Sequence, residues 1–229
     1  MKKTIFSIIL LCLATINFSC TIDETPLSRK DIITARPQTM NSLNPYEDIG
    51  ITSYNLFHLY INSSGKSSNL EDISKDVSDL MVQQTTLNHP TIHLNESFIP
   101  LIESILDNPL DKLQDLLSLN KISTYAHEKI LDLAEIITDD SKPIKSEMSD
   151  NIIAYEMSVL TDGNLLANEK EVLLLNAAFL RYSLYDSGGD DDKDWDLSVG
   201  KFIISIYGSV SSIEDALLMN LVSRIYLSY

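Results

Sequence analysis

Three aspartates at alternating positions, Asp190, Asp192 and Asp194, lie in the run Gly188-Gly189-Asp190-Asp191-Asp192-Lys193-Asp194-Trp195-Asp196. Alternating carboxylates are how a calcium loop presents its first hard oxygen ligands. The frame fails further on. An EF-hand loop begun at Asp190 requires glycine where Trp195 stands and a bidentate glutamate where Lys201 stands. The run therefore reads as a solvated acidic loop in which Asp194 or Asp196 caps the helix that follows. His89 and His93 stand one helical turn apart, the spacing of paired zinc ligands, but Pro90 between them disrupts a shared helical face and no third ligand is near. His58 and the pair His127-Glu128 read as helix-surface or boundary residues. No G-x-S-x-G, Walker loop, H-E-x-x-H or dinucleotide fingerprint occurs. The sequence assigns no catalytic, cofactor-binding or metal-ligating residue, and the expectation is a protein that is not an enzyme.

One residue carries a more specific chemistry. The chain opens on Met1-Lys2-Lys3, runs through an apolar stretch from Ile5 to Ile16, and reaches Asn17-Phe18-Ser19 before Cys20. A basic tip, an apolar core of roughly 7–15 residues and a small residue before the cut make a signal peptide, too short to span a bilayer. A cysteine directly after the small residue points to a bacterial lipoprotein signal covering residues 1–19, with the Cys20 thiol acylated by palmitate-type chains. Asn17 and Phe18 are relaxed relative to the usual Leu-small-small pattern. Together with Asp23 and Glu24 after the cysteine, this resembles the lipoproteins of Bacteroidota. That resemblance implies an outer-membrane lipid anchor and display on the cell surface. The alternative is a secreted protein cut near Ser19 that keeps Cys20 as a free thiol. The other cysteine, Cys12, lies in the apolar stretch, so after cleavage no intrachain disulfide is available and stability rests on packing.

The chain is strongly acidic, with a formal charge of −16 that becomes −18 once Lys2 and Lys3 are removed. A polyanionic partner such as nucleic acid is repelled by such a surface, whereas a cationic peptide or protein is attracted.

The elements that would position these residues are helical. Residues 20–41 mix charge, Pro26, Pro37 and hydroxyls without sustained periodicity and read as a tether. Residues 42–229 are long enough for one core burying roughly 70 % of the unfolded surface, and they show helical spacing throughout. Asn44-x-x-Glu47 with Pro45 opens the first helix, whose face is Ile49, Leu56, Phe57, Tyr60 and Ile61, with Gly65 as its stop. Further capping boxes stand at Ser68-x-x-Glu71, Asn168-x-x-Glu171 and Ser211-x-x-Glu214, and Ser123 or Thr124 caps a helix between them. The helix after Asn168 is apolar over most of its circumference, which places it at the centre of a bundle. The expectation is all-α, a single bundle of about seven to nine helices.

Gly200, Gly208, Ser212 and Ala216 fall on a four-residue grid interrupted by Ile204. In one continuous helix they make a close-packing seam; with a break at Ser211 the glycines act locally. Two stretches, Asn44-Pro45-Tyr46-Glu47-Asp48-Ile49-Gly50 and Arg181-Tyr182-Ser183 with Trp195, Gly208 and Ala216, resemble a family of uncharacterised helical Bacteroidota proteins. Family members often carry His-Asn shortly after the glycine; Ser53-Tyr54-Asn55 stands there here. The resemblance implies lineage without activity. The function expected is a lipid-anchored envelope module that binds or protects, with a metal-dependent enzyme or an accessory subunit of an outer-membrane complex as alternatives.

Overall fold

The computed structural model describes residues 40–63, 67–84, 98–118, 121–138, 144–185 and 195–229, with only the backbone of 195–198. Among these residues the chain is all-α, with nine helices and no strand. They are α1 (Glu47–Ile61), α2 (Leu70–Gln84), α3 (Phe98–Asp107), α4 (Pro109–Ser118), α5 (Thr124–Thr138), α6 (Lys145–Thr161), α7 (Ala167–Ser183), α8 (Trp195–Ser209) and α9 (Ile213–Tyr226). None of them is long and apolar enough to cross a membrane.

Two helices form the axis of the bundle. In α7 every residue from Val172 to Phe179 is buried, and in α9 every residue from Ala216 to Ile225. A helix apolar on all sides gains stability only when neighbours surround it. α7 accordingly packs on α1, α5, α6 and α8, and α9 on α1, α2, α3 and α8. The outer helices are amphipathic. α2 buries Leu70, Ile73, Val77 and Met81 and turns Glu71, Asp72, Asp76 and Asp79 to solvent. Each fully buried aliphatic side chain contributes about 1.5–3 kcal/mol, so among the described residues, which contain no cysteine, the core supplies the cohesion.

Most helix starts differ by a residue or two from the capping boxes legible in sequence. At α2 the cap is Asn69, whose Oδ1 accepts from the Asp72 N–H at 2.8 Å, displacing Ser68 and Glu71. At α9 it is Ser212, accepting from the Asp215 N–H at 3.0 Å, displacing Ser211 and Glu214. Of Ser123 and Thr124, Ser123 caps α5, accepting from the Ala126 N–H at 3.2 Å. At α7 Glu169, and not Glu171, reaches back to the Leu166 N–H at 2.8 Å. Overlapping Ser/Asn and Glu/Asp choices make these boxes degenerate in sequence, and burial of the next apolar residue selects among them. α1 ends at Ile61, ahead of Gly65, which lies outside the described residues.

The small-residue grid does not lie on one helix. α8 ends at Ser209 and α9 begins at Ile213, so Ser212 is a cap and the grid bends at a tight corner. Gly208 is the residue that allows the corner: a Cβ there would sit 2.7 Å from the Ala216 Cα and 2.8 Å from its N. Gly200 faces only the movable Cδ2 of Leu106, at 3.2 Å. Gly208→Ala is therefore expected to destabilise by about 1–3 kcal/mol as backbone is forced apart. Gly200→Ala should fall within about 1 kcal/mol of wild type, because Leu106 yields and alanine is the better helix former. Urea denaturation of the two variants checks the contrast, and equal losses would refute it.

Candidate functional site

Cys20, Asp190, Asp192, Asp194, His89 and His93 all lie outside the described residues. Among the described residues no three His, Cys, Asp or Glu side chains converge as metal ligands. The structure instead draws together Arg181, Glu47 and Glu156, of which only Glu47 had an expected place, in a capping box.

Arg181, on central helix α7, is 0 % exposed and lies between two carboxyl groups. Its Nη1 donates to Glu47 Oε1 at 3.2 Å and its Nη2 to Glu47 Oε2. Its Nη2 and Nε donate to Glu156 Oε1 on α6, at 3.1 and 3.4 Å. Tyr182 donates its hydroxyl to Glu47 Oε1 at 2.6 Å. Asn41 and Asn44 donate side-chain amides to Glu156 Oε2 and Oε1, at 2.6 and 2.8 Å. Burial alone would lower the Arg181 pKa, but the hydrogen bond to Glu47 and the charges of Glu156 and Glu47 outweigh it and raise the value. Burial, then the bond to Glu47, raises the Tyr182 phenol.

Asn44 and Glu47 are thus not a capping box. α1 has Tyr46 at its N-cap without a side-chain cap bond, and Asn44 Oδ1 accepts from the Tyr46 N–H at 2.9 Å. Glu47 lies on the inward face of α1 with Gly50 and Ser53. A Cβ at Gly50 would meet Tyr182 Cδ2 at 2.7 Å and Ala178 Cβ at 3.1 Å, so the glycine is what lets α1 approach α7 closely enough for the ion pair. The start of α1 and the Arg181-Tyr182 end of α7 therefore touch each other. Asn41, at the end of the expected tether, belongs to the fold.

Two further polar clusters line the same axis. Asn176 on α7 donates to Val172 O at 2.7 Å and Ser209 Oγ at 2.8 Å, and accepts from Ser205 Oγ. Arg224 on α9 donates Nη1 to Ser53 Oγ at 2.6 Å and Asn220 Oδ1 at 3.0 Å, with its guanidinium 4.7 Å from the Phe57 ring centre. Ser53 is fully buried. All three clusters are sealed from solvent, so their chemistry is cohesion and register. The signal that could have revealed them is an Asn and an Arg embedded in the long apolar runs of each of the two central helices. Polar groups there require partners inside the core.

At the surface, an open groove runs between α5 and α6, lined by Asp132, Glu135, Ile136, Asn151, Ala154 and Tyr155 among others. Asp132 pairs with Lys129 at 2.8 Å across one helical turn, a half-exposed contact that a competing cation exchanges readily. Tyr155 forms the floor, its hydroxyl donating to Lys129 O at 2.9 Å. Two carboxylates over an aromatic and aliphatic floor suit a lysine or arginine side chain, charge on the acids and methylenes on the floor.

Arg181→Met leaves two buried carboxyl groups facing each other and should cost about 3–5 kcal/mol; Arg181→Lys should recover only part of it, because a single ammonium cannot fork between both. A urea midpoint unchanged in Arg181→Met would show that the cluster contributes nothing. Burial would raise the Glu169 carboxyl, but the Leu166 and Ser123 N–H groups hold it below its ordinary 4.5. The stabilisation is then complete above 4.5 and disappears as pH falls through the lower folded value. Glu169→Gln should cost about 1 kcal/mol at neutral pH, with the gap to wild type closing in acid. A gap that widens on acidification contradicts this.

Compared with known proteins, the chain matches no protein-family model, no curated protein and no solved structure.

Proposed function

We propose that this is a lipid-anchored protein of the cell envelope, held at the outer membrane through acylated Cys20, that binds a cationic peptide or protein without transforming it. The observation that carries the binding half is the α5–α6 groove, where Asp132 and Glu135 stand over Tyr155 and Ile136 on a chain of net charge −16. The buried disposition of Glu47, Glu156 and Arg181 supports a binding rather than a catalytic reading, since a general acid or base must reach the proton it transfers. The anchoring half is supported by the order Lys2-Lys3, apolar stretch, Ser19, Cys20. A protective role, in which the groove captures a basic peptide at the cell surface before it reaches the membrane, follows from joining the two.

Titration of the purified chain with an oligolysine probe tests this. Binding should weaken steeply with salt, and the Asp132→Asn/Glu135→Gln double variant should bind about tenfold more weakly, corresponding to about 1.4 kcal/mol. Salt-insensitive binding, or equal affinity in the variant, overturns the groove. In cells, Cys20→Ser should lose both palmitate labelling and membrane retention; a substituted protein that stays acylated overturns the anchor.

A further inference from the structure

The chain is clamped twice before α1 begins. Asn41, 6 % exposed, donates its backbone N–H to Glu47 Oε1 at 3.2 Å and its side-chain amide to Glu156 Oε2 at 2.6 Å. Asn44, 2 % exposed, donates its amide to Glu156 Oε1 at 2.8 Å and Leu174 O at 3.0 Å. Each asparagine also folds its own backbone: Asn41 Oδ1 accepts from the Leu43 N–H at 3.2 Å and Asn44 Oδ1 from the Tyr46 N–H at 2.9 Å. Their carbonyls shape two local turns while their amides reach across to α6 and α7. Between the clamps the chain faces solvent, with Ser42 exposed and Leu43 62 % exposed.

We infer that residues 41–44 form a strap that closes the Glu47–Arg181–Glu156 cluster and opens as a local unit, ahead of the bundle. No apolar side chain of the strap enters the core, so its attachment is polar and short. Segments held by few buried apolar contacts open with less free energy than the whole fold. The attachment is nonetheless strong for its size, because its main acceptors are carboxylates. Opening it takes two amide donors from Glu156 and a backbone donor from Glu47, leaving Arg181 and Tyr182 to serve both carboxyl groups. Closure of the strap is therefore coupled to the junction of α1, α6 and α7. A pull on the chain before Asn41 is delivered to all three helices through Glu47, Glu156 and Arg181.

Native-state proteolysis of the full chain tests this, with a protease that cleaves after leucine and cleavage at Leu43 followed by mass spectrometry. In the wild type, the cleavage rate at Leu43 should rise with urea along a shallower slope than global unfolding. Asn41→Ala, Asn44→Ala and the distant Glu156→Gln should each accelerate cleavage at Leu43 by about tenfold or more, each removing or weakening a charge-assisted bond. Hydrogen exchange at the amides of residues 43, 44, 46 and 47 should accelerate in parallel. A wild-type slope equal to that of global unfolding overturns the inference without requiring any variant to fold. Cleavage rates unchanged in all three folded variants overturn it as well.

Discussion

A guanidinium held out of water between two carboxyl groups is the constraint that the rest of this fold accommodates. Arg181 is fixed on the central helix α7, Glu47 enters from α1 and Glu156 from α6. Removing these groups from water is costly, and the cost is offset only when every donor and acceptor finds a partner in good geometry. That requirement explains several otherwise unrelated residues. Gly50 is small so that α1 can approach, Tyr182 supplies a hydroxyl, and Asn41 and Asn44 supply amides. Sliding α1 along α7 by one turn would strand a carboxyl group in the core. The cluster therefore selects one register among arrangements that the apolar residues alone would tolerate.

The same logic extends along the axis. α7 and α9 are apolar over nearly their whole circumference, so no amphipathic stripe sets their rotation. Each buries one asparagine and one arginine, Asn176 and Arg181 on α7, Asn220 and Arg224 on α9. Asn176 faces Ser205 and Ser209 of α8, while Arg224 and Asn220 face Ser53 of α1. Directional bonds of this kind specify which face meets which neighbour, while the aliphatic residues around them supply the bulk of the cohesion. With the ion pair committed to register in the interior, what the described residues leave at the surface is acidic helix faces and the open groove of α5 and α6.

Helix number and the central place of α7 were legible because apolar residues recur at helical spacing and because α7 is uninterrupted by charge from Val172 to Leu180. Helix starts were less legible. Ser68 against Asn69, Ser211 against Ser212 and Glu171 against Glu169 are local alternatives of similar intrinsic worth, and packing of the following turn decides between them. The grid from Gly200 to Ala216 kept its spacing in sequence but bends in space, and Gly208 took its role from the corner.

By itself the sequence determined the helical class, the net acidity and the lack of any cysteine after Cys20. These are properties of composition and of short-range order. Only the tertiary structure decided what Asn44, Glu47, Glu156 and Arg181 do. Glu47 and Arg181 lie 134 residues apart in the chain, and a capping box and a buried ion-pair partner are written with the same letters. Which one a glutamate becomes depends on whether an arginine from another helix arrives opposite it, and that is a property of the packed bundle.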